Sequence, residues 1–250
     1  MGTTVSFDVR LDHRDETSTA AAQTAIADAV SWLHHVDALF STYRADSQIS
    51  RLGRGELRLA DCDADVAGVL DLCSQASRDT RGYFSATYGG RLDPTGLVKG
   101  WSIQRASELL RERAFLRHAI NGGGDVAACG EPEPGRPWQV GVAHPLHAGA
   151  VADVVAVRDG AVATSGIAER GLHVLDPFTG QPATALASVT VVGPDLTRAD
   201  AYATAALAMG HAAHAWLDDL AGFEAFAIAA DGTGWRTAGF DALSALRPAD

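Results

Sequence analysis

The spacing of apolar residues predicts that helices dominate the first half of the chain. A short run of alternating apolar and polar residues, TVSFDVRL, predicts a strand near the beginning. Apolar residues then recur at helical spacing from Thr17 to Tyr43, and two more helices are predicted over Asp65 to Thr80 and over Leu97 to Glu112. The first half is therefore expected to supply most of the helical surface of the fold.

The second half carries mostly strand-like runs. These are HAIN, WQVGVAH, VVAVRDGAVATSG, HVLD and ASVTVVGP, followed by an Ala-rich helix from about Ala199 to Leu220 and a strand, EAFAIAA, that ends in a DGTGW turn. Because helices and strands are grouped rather than alternating, the pattern predicts an α+β fold. No repeat or evident linker divides the chain, so residues 1–250 are predicted to form a single domain.

Composition narrows the class of protein. The 250 residues are 47% hydrophobic and carry a net charge of −11, which is enough for a sizeable core and argues against a nucleic-acid binder. Three cysteines without C-x-x-C spacing (Cys62, Cys73 and Cys129) favour neither a disulfide framework nor a cysteine metal site. With no signal-like N-terminus and no apolar stretch of about 18 residues, a cytoplasmic protein without a membrane span is expected.

Two residue types occur once each. Nineteen of the 20 basic residues are Arg, so Lys99 is the single lysine, and Asn121 is the single asparagine. Each lies beside glycines, where a compact ammonium or a side-chain amide can do what a bulky guanidinium cannot. For either residue alone, the alternative interpretation is that it is present by chance and has no functional role.

The helix LTRADAYATAALAMG carries an oxygen pair that suits a hard cation. Asp200 and Thr204 are four residues apart, so their side chains lie on one helix face about one turn apart. A carboxylate with a hydroxyl is a pair that Mg²⁺ accepts. Thr197 and Asp200 also have capping-box spacing, however, and spacing alone favours a cap.

The segment DPTGLVKGWS places Lys99 in a turn that leads into a helix. A helix N-terminus after such a turn presents free N–H groups to an anion, and the lysine adds a positive charge. The segment lacks the first glycine and the Ser or Thr of the G-x-x-x-x-G-K-[ST] phosphate loop. Without further context it is equally a turn and an ordinary helix start.

Two further segments carry polar groups next to turns. In NGGGD, three glycines allow either close approach of a ligand or a tight bend, and Asp125 either orients a ligand hydroxyl or caps that bend. In HVLDPFTGQP, His173 suits proton transfer near neutral pH, and Asp176 follows it by three residues. A lone histidine entering a strand is more often structural.

Taken together, these segments resemble the ApbE family of FAD:protein FMN transferases. The shared motifs occur in order along nearly the whole chain: MGT at 1–3, FSTYRADSQISRL at 40–52, a D-x-x-G-x-x-K-G turn at 93–100, NGGGD at 121–125, ATSG at 163–166, HVLDPFTGQP at 173–182 and ADAYATA at 199–205. Each motif alone is weak, but seven in sequence are specific.

The resemblance implies an α+β fold with mixed or antiparallel sheets, packed helices and an FAD cleft between subregions. It also implies an enzyme that uses Mg²⁺ to transfer FMN from FAD to a Thr or Ser hydroxyl of an acceptor flavoprotein, releasing AMP. The implied metal ligands are Asp200, Thr204 and the carbonyl of Val98. The implied FAD contacts are Met1, Tyr43, Thr95, Lys99, Asn121, Asp125, His173 and Val174, and the catalytic candidates are His173 as base, Lys99, and Asp176 as orienting group.

Two other functions use the same pocket. A flavin-binding protein would hold FAD or FMN without releasing AMP, and a Mg²⁺-dependent FAD pyrophosphatase would use water as the acceptor. The family also has a lipoprotein-anchored branch, but a chain that begins at MGT without a lipobox is expected to be cytoplasmic or trimmed.

Overall fold

The computed structural model describes residues 3–13, 15–168, 171 and 174–246. Its strands are β1 (Val5–Val9), β2 (Thr87–Tyr88), β3 (Arg91–Leu92), β4 (His118–Gly122), β5 (Asp125–Cys129), β6 (Trp138–Ala143), β7 (Val151–Val157), β8 (Gly160–Gly166), β9 (Leu186–Gly193), β10 (Glu224–Ala229) and β11 (Gly234–Arg236). Its helices are α1 (Glu16–Phe40), α2 (Gln48–Gly53), α3 (Ala64–Asp79), α4 (Thr95–Glu112), α5 (Leu196–Met209) and α6 (Ala213–Asp218).

A seven-stranded antiparallel sheet organises the fold, in the order β1-β4-β5-β8-β9-β10-β11. Helices α4 and α5 pack side by side against one face, and α1 packs on the outer side of α4. Their apolar residues form one core with β4, β8 and β9, including Ile103, Leu110, Val191 and Leu207.

The opposite face of the sheet is covered by the antiparallel hairpin of β6 and β7. Val155 of the hairpin packs with Val162 of β8 and with Phe240 in a separate buried cluster. Helices on one face and a hairpin on the other bury β5 on both sides, so all five of its residues are inaccessible. This architecture confirms the predicted α+β class with antiparallel sheets and packed helices.

Most predicted elements are present, with shifted ends. The helix predicted from Leu97 begins two residues earlier, at Thr95, and the helix predicted over Asp65 to Thr80 is α3. The long run VVAVRDGAVATSG is two strands, β7 and β8, that belong to different sheets. The prediction of one continuous helix over Ala199 to Leu220 is wrong, because Gly210 takes φ of +62° and divides α5 from α6.

Other differences concern short segments. The run HVLD forms no strand among its described residues and contributes only an isolated bridge between Leu175 and Pro182. Helix α2 and strand β5 were not predicted, because α2 is only six residues long and β5 follows three glycines that indicate a turn. That residues 1–250 form one domain stays a prediction. Among the described helices, none combines the length and apolar character that crossing a bilayer requires.

Candidate active site

Helices α4 and α5 touch closely where their first turns meet. Gly100 of α4 donates its backbone N–H to Oδ2 of Asp200 at 2.8 Å. A Cβ atom on Gly100 would lie 2.5 Å from the carbonyl oxygen of Leu196 and 2.7 Å from Cβ of Asp200. A Cβ on Gly96, one turn earlier, would lie 3.4 Å from Cγ2 of Thr204, which is a tight contact but not an overlap. The absence of a side chain at Gly100 therefore lets the backbone of α4 reach Asp200 of α5.

Asp200 is a site residue rather than a helix cap. The cap of α5 is Asp195, whose side chain accepts a hydrogen bond from the N–H of Arg198. Asp200 lies more than a turn inside the helix and is 2% exposed. The capping-box interpretation of Thr197 and Asp200 is therefore wrong, because an aspartate upstream satisfies the helix N-terminus.

Thr204 lies one turn beyond Asp200 and is also buried. Its hydroxyl is 3.3 Å from the hydroxyl of Ser165, near the end of β8. Three hard oxygen groups, the Asp200 carboxylate and the hydroxyls of Thr204 and Ser165, thus line one side of the α4–α5 contact.

The β4–β5 hairpin brings Asp125 to the same place. Gly123 and Gly124 both have positive φ and form a two-residue turn, and Oδ1 of Asn121 accepts a hydrogen bond from the N–H of Gly124. A Cβ on Gly122 would meet Cδ1 of Ile103 at 2.5 Å. The three glycines thus serve a tight bend and close packing on α4, and Asp125 enters the sheet directly after them.

Lys99 joins the two aspartates. Its ammonium nitrogen lies 2.6 Å from Oδ2 of Asp125 and 3.7 Å from Oδ1 of Asp200. The second oxygen of Asp125 accepts a hydrogen bond from the N–H of Thr164 at 3.0 Å. Asp125 is completely inaccessible, whereas 24% of the lysine side chain is exposed, so the ammonium forms the boundary between the buried carboxylates and solvent.

Burial disfavours the ionised form of both carboxyl groups. It raises the pKa of Asp200 to about 7 and also raises the pKa of Asp125, and in both cases the positive charge of Lys99 opposes the effect. The ammonium of Lys99 thus favours the ionised form of both buried acids. Perturbed acids of this kind are typical of binding and catalytic sites.

The residues present fit a divalent cation. A buried carboxylate with a neighbouring hydroxyl supplies the oxygen chemistry that Mg²⁺ requires, and the excess of negative charge favours a cation. Val98, the third predicted ligand, lies in the first turn of α4 with a buried side chain. That its carbonyl also binds the metal stays a prediction.

The other predicted flavin contacts have different surroundings. Tyr43 presents its ring to solvent with 88% exposure. Thr95 donates both its N–H and its hydroxyl to Oδ1 of Asp93, which shapes the start of α4. Val174 packs its side chain into the core, so only its backbone is available to a ligand. Met1 and His173 lie outside the described residues, and their roles stay predictions.

Asp176 shapes its own turn. Its carboxylate accepts hydrogen bonds from the N–H of Phe178 and from the hydroxyl of Thr179. It also borders a cavity of about 350 Å³ whose other wall is the end of α5 and the turn after it, residues 207–212. A second cavity, of about 520 Å³, lies between residues 10–13 and 114–117, away from Lys99. Neither cavity is lined by the polar cluster, so the FAD cleft stays a prediction.

Sequence reasoning missed the partners that make the site compact. Ser165 lay within the ATSG motif, but no role was expected for its hydroxyl. Gly96 and Gly100 were interpreted as turn residues, although their G-x-x-x-G spacing matches the D-x-x-x-T spacing of Asp200 and Thr204. Matching four-residue spacings on two helices is a signal for close helix packing that was available in the sequence.

The fold is an antiparallel sheet covered by two closely packed helices, and a lysine and two buried aspartates lie where the helices meet. This arrangement defines an α+β protein with a polar cluster whose residues fit a cation. Residues 1–91 and 89–227 match the ApbE family, and the chain belongs to this family. The motifs that carried the resemblance in the sequence therefore reflect family membership.

Curated relatives match part of the chain. It is 28% identical over 156 residues to an FAD:protein FMN transferase of Klebsiella pneumoniae (strain 342), covering 58% of the chain and 45% of that relative. It is 34% identical over 144 residues to an FAD:protein FMN transferase of Treponema pallidum (strain Nichols), covering 50% and 40%. The aligned part thus spans less than half the length of these relatives.

Solved structures resemble the fold almost throughout. The flavin transferase ApbE from Vibrio cholerae superposes with a TM-score of 0.80 at 20% identity, covering 97% of this chain and 96% of that one. The ApbE protein from Thermotoga maritima gives a TM-score of 0.81 at 20% identity, covering 96% and 99%. At this identity the likeness establishes the fold.

Proposed function

We propose that the chain is a Mg²⁺-dependent FAD:protein FMN transferase. The observation that supports this most directly is the pair of buried carboxylates, Asp125 and Asp200, joined by the only lysine at the contact of α4 and α5. Family membership supplies the reaction, and this cluster supplies groups suited to a diphosphate and its cation. The predicted cytoplasmic location belongs to the same proposal.

In this reaction the hydroxyl oxygen of an acceptor Thr or Ser forms a bond to the phosphorus of the FMN half of FAD. The bond from that phosphorus to the bridging oxygen breaks, and AMP leaves with the bridging oxygen. The hydroxyl proton passes to a base, for which His173 is the candidate. Mg²⁺, when bound, withdraws charge from the phosphate oxygens and stabilises the departing AMP.

The residues of the chain have separate roles in binding the cation and FAD. Asp200 and Thr204, with the carbonyl of Val98, hold the cation at the start of α5. Lys99 lies beside them with part of its side chain exposed, so its ammonium can meet a phosphate group of FAD. Asp125 keeps that ammonium in place, and the exposed ring of Tyr43 is available to stack on the flavin or adenine ring.

Because the net charge is −11, the protein needs a local source of positive charge to bind a diphosphate. A strongly acidic protein repels a diphosphate at long range, so attraction must come from a cation held close to the bound ligand. The proposed site provides this through the metal and the lysine together.

The test is mass spectrometry of a candidate acceptor flavoprotein incubated or co-expressed with the chain, FAD and Mg²⁺. Transfer gives an acceptor peptide that carries FMN as a phosphate ester on Thr or Ser, with one AMP released for each label. AMP and free FMN without an acceptor would identify a pyrophosphatase instead. Bound flavin without AMP would identify a flavin-binding protein.

A further inference from the structure

Among the described residues, the ionisable groups buried at the α4–α5 contact do not balance in charge. Asp125 and Asp200 are buried carboxylates, and Lys99 is the only cationic side chain that forms an ion pair with either of them in the described part of the chain. With all three groups ionised, the cluster has a charge of −1. A net buried charge is costly, and one divalent cation would turn it into +1, which is opposite in sign to a diphosphate.

Lys99 is placed asymmetrically between the acids. Its nitrogen is in contact with Asp125 at 2.6 Å but 3.7 Å from Oδ1 of Asp200. The other oxygen of Asp200 is held by the N–H of Gly100. Oδ1 is therefore the oxygen of Asp200 that faces the ammonium, and the ammonium approaches it without closing to a short contact.

We propose that Lys99 is the resident counter-ion of Asp200 in the metal-free protein and that it sets the affinity of the site for a divalent cation. The proposal rests on the proposed metal site at Asp200 and Thr204. When a cation binds Asp200, the ammonium withdraws onto Asp125, which already holds it at the shorter distance. A lysine suits this exchange because its ammonium is compact and its stem is flexible, whereas a guanidinium is planar and bulky.

The test is a charge series measured by isothermal titration of Mg²⁺ into metal-free, flavin-free protein. With the remaining groups ionised, the cluster charge is −2 in Lys99→Met, 0 in Asp125→Asn and −1, as in the wild type, in the double variant Lys99→Met/Asp125→Asn. We expect Mg²⁺ to bind at least tenfold tighter to Lys99→Met than to the wild type. It should bind at least tenfold weaker to Asp125→Asn and within about threefold of wild type to the double variant.

Arg105→Met is the matched control. Arg105 lies on the same helix, pairs with Glu108 and Glu112 at the surface, and its removal changes the net charge of the protein by the same amount as Lys99→Met. Its Mg²⁺ affinity should stay within about twofold of wild type. An equal gain of affinity in Arg105→Met would show that overall charge, rather than competition at Asp200, is responsible and would overturn the proposal.

The remaining outcomes separate this proposal from the one on which it rests. Equal Mg²⁺ affinity in wild type and Lys99→Met would overturn the counter-ion role while leaving the metal site intact. No Mg²⁺ binding to any of the proteins would refute the metal site itself. If Lys99→Met unfolds in EDTA, refolding on addition of Mg²⁺ supports the exchange. Failure to refold, together with a double variant that binds Mg²⁺ more than tenfold differently from wild type, contradicts it.

Discussion

Two completely buried aspartates on opposite sides of the central sheet are stabilised in different ways. Asp153, in the β6–β7 hairpin, receives hydrogen bonds from the hydroxyl of Ser244 and the N–H of Val154, both at 2.7 Å, and from Arg236 at 2.6 Å. Asp125, beneath the helices, pairs with Lys99, and among the described residues a second buried acid, Asp200, relies on the same ammonium. The first arrangement thus has one buried acid for its cation, whereas the second has two.

The cations that pair with these two aspartates, Arg236 and Lys99, differ in how firmly they are held. The guanidinium of Arg236 lies 5.2 Å from the ring centre of Phe226 and 5.6 Å from that of Phe240, which holds it in one orientation. Lys99 has a flexible stem and two acids within reach. A buried acid paired with a cation of fixed orientation stabilises the fold. Buried acids that outnumber their cation, when that cation is flexible, are instead typical of a binding or catalytic site.

The largest effect that distinguishes the two regions should come from Asp200→Ala. Loss of this carboxylate removes the proposed metal ligand, and a bound metal supplies several kcal/mol of charge stabilisation, so FMN transfer should fall by at least about 10²-fold. The release of AMP and the labelling of an acceptor, measured as initial rates, check this. Asp153→Ala should keep transfer within about twofold of wild type, and an equal loss in both variants would contradict the distinction.

Loss of Asp153, in contrast, should lower the stability of the fold. Asp153→Ala leaves Arg236 without its buried partner and removes one of the two acceptors near the Ser244 hydroxyl, so the free energy of unfolding should fall by about 3 kcal/mol. Urea unfolding followed by circular dichroism measures it. Asp241→Ala removes the exposed partner of the same arginine and should cost less than about 1 kcal/mol. Comparable costs for both would show that the cluster does not depend on its buried acid.

Close packing of α4 on α5 can be tested at Gly100. In Gly100→Ala the new Cβ meets the backbone of α5, so the helices must separate, at a cost of about 1–3 kcal/mol and with weaker Mg²⁺ binding. Gly68→Ala is the control, because Gly68 lies in α3 with open space around it and should become more stable by up to about 1 kcal/mol. A stable Gly100→Ala that binds Mg²⁺ normally would contradict this account of the contact.

The smallest expected effect is a change of stability with pH, and its source is His118, a buried side chain that stays neutral. His118 donates from Nδ1 to the carbonyl of Phe115 and accepts at Nε2 from the hydroxyl of Ser107, and burial lowers its pKa. Because the unfolded chain takes up a proton first as the pH falls below about 6.5, the unfolding free energy should decrease over the acidic side of that value. Urea titrations between about pH 7 and about pH 5 check this. In His118→Gln this part of the pH dependence should disappear, and an unchanged profile would exclude His118 as its source.

Sequence reasoning worked best where local physics determines structure. Helices α1, α3 and α4 follow from apolar spacing, and the strands β4, β6, β9 and β10 follow from short runs bounded by turn residues. It failed at Gly210, which divides a predicted helix, and at β5, whose five buried residues follow a glycine turn. Gly210 does carry a local signal, since a glycine with positive φ commonly ends a helix. Strand β5 has no comparable signal, because the glycines before it indicate only a turn.

The site was predictable in part. The single lysine, the Asp200 and Thr204 spacing and the glycine-rich turn were visible along the chain. Two local alternatives compete with the site: spacing alone favours Asp200 as a helix cap, and Asp125 is also compatible with capping a bend. The structure excludes the first, because Asp195 caps α5, and it places Asp125 in contact with Lys99.

The sequence alone determined which chemical groups are present, the family to which the chain belongs and the kind of elements that carry them. Only the tertiary structure decided that Lys99, Asp125 and Asp200, 26 to 101 positions apart in the chain, share one buried charge cluster. The physical reason is that ion pairing and desolvation depend on distance in space and on burial. Both are set by the packing of α4 on α5 and on the sheet, and no local pattern of residues encodes them.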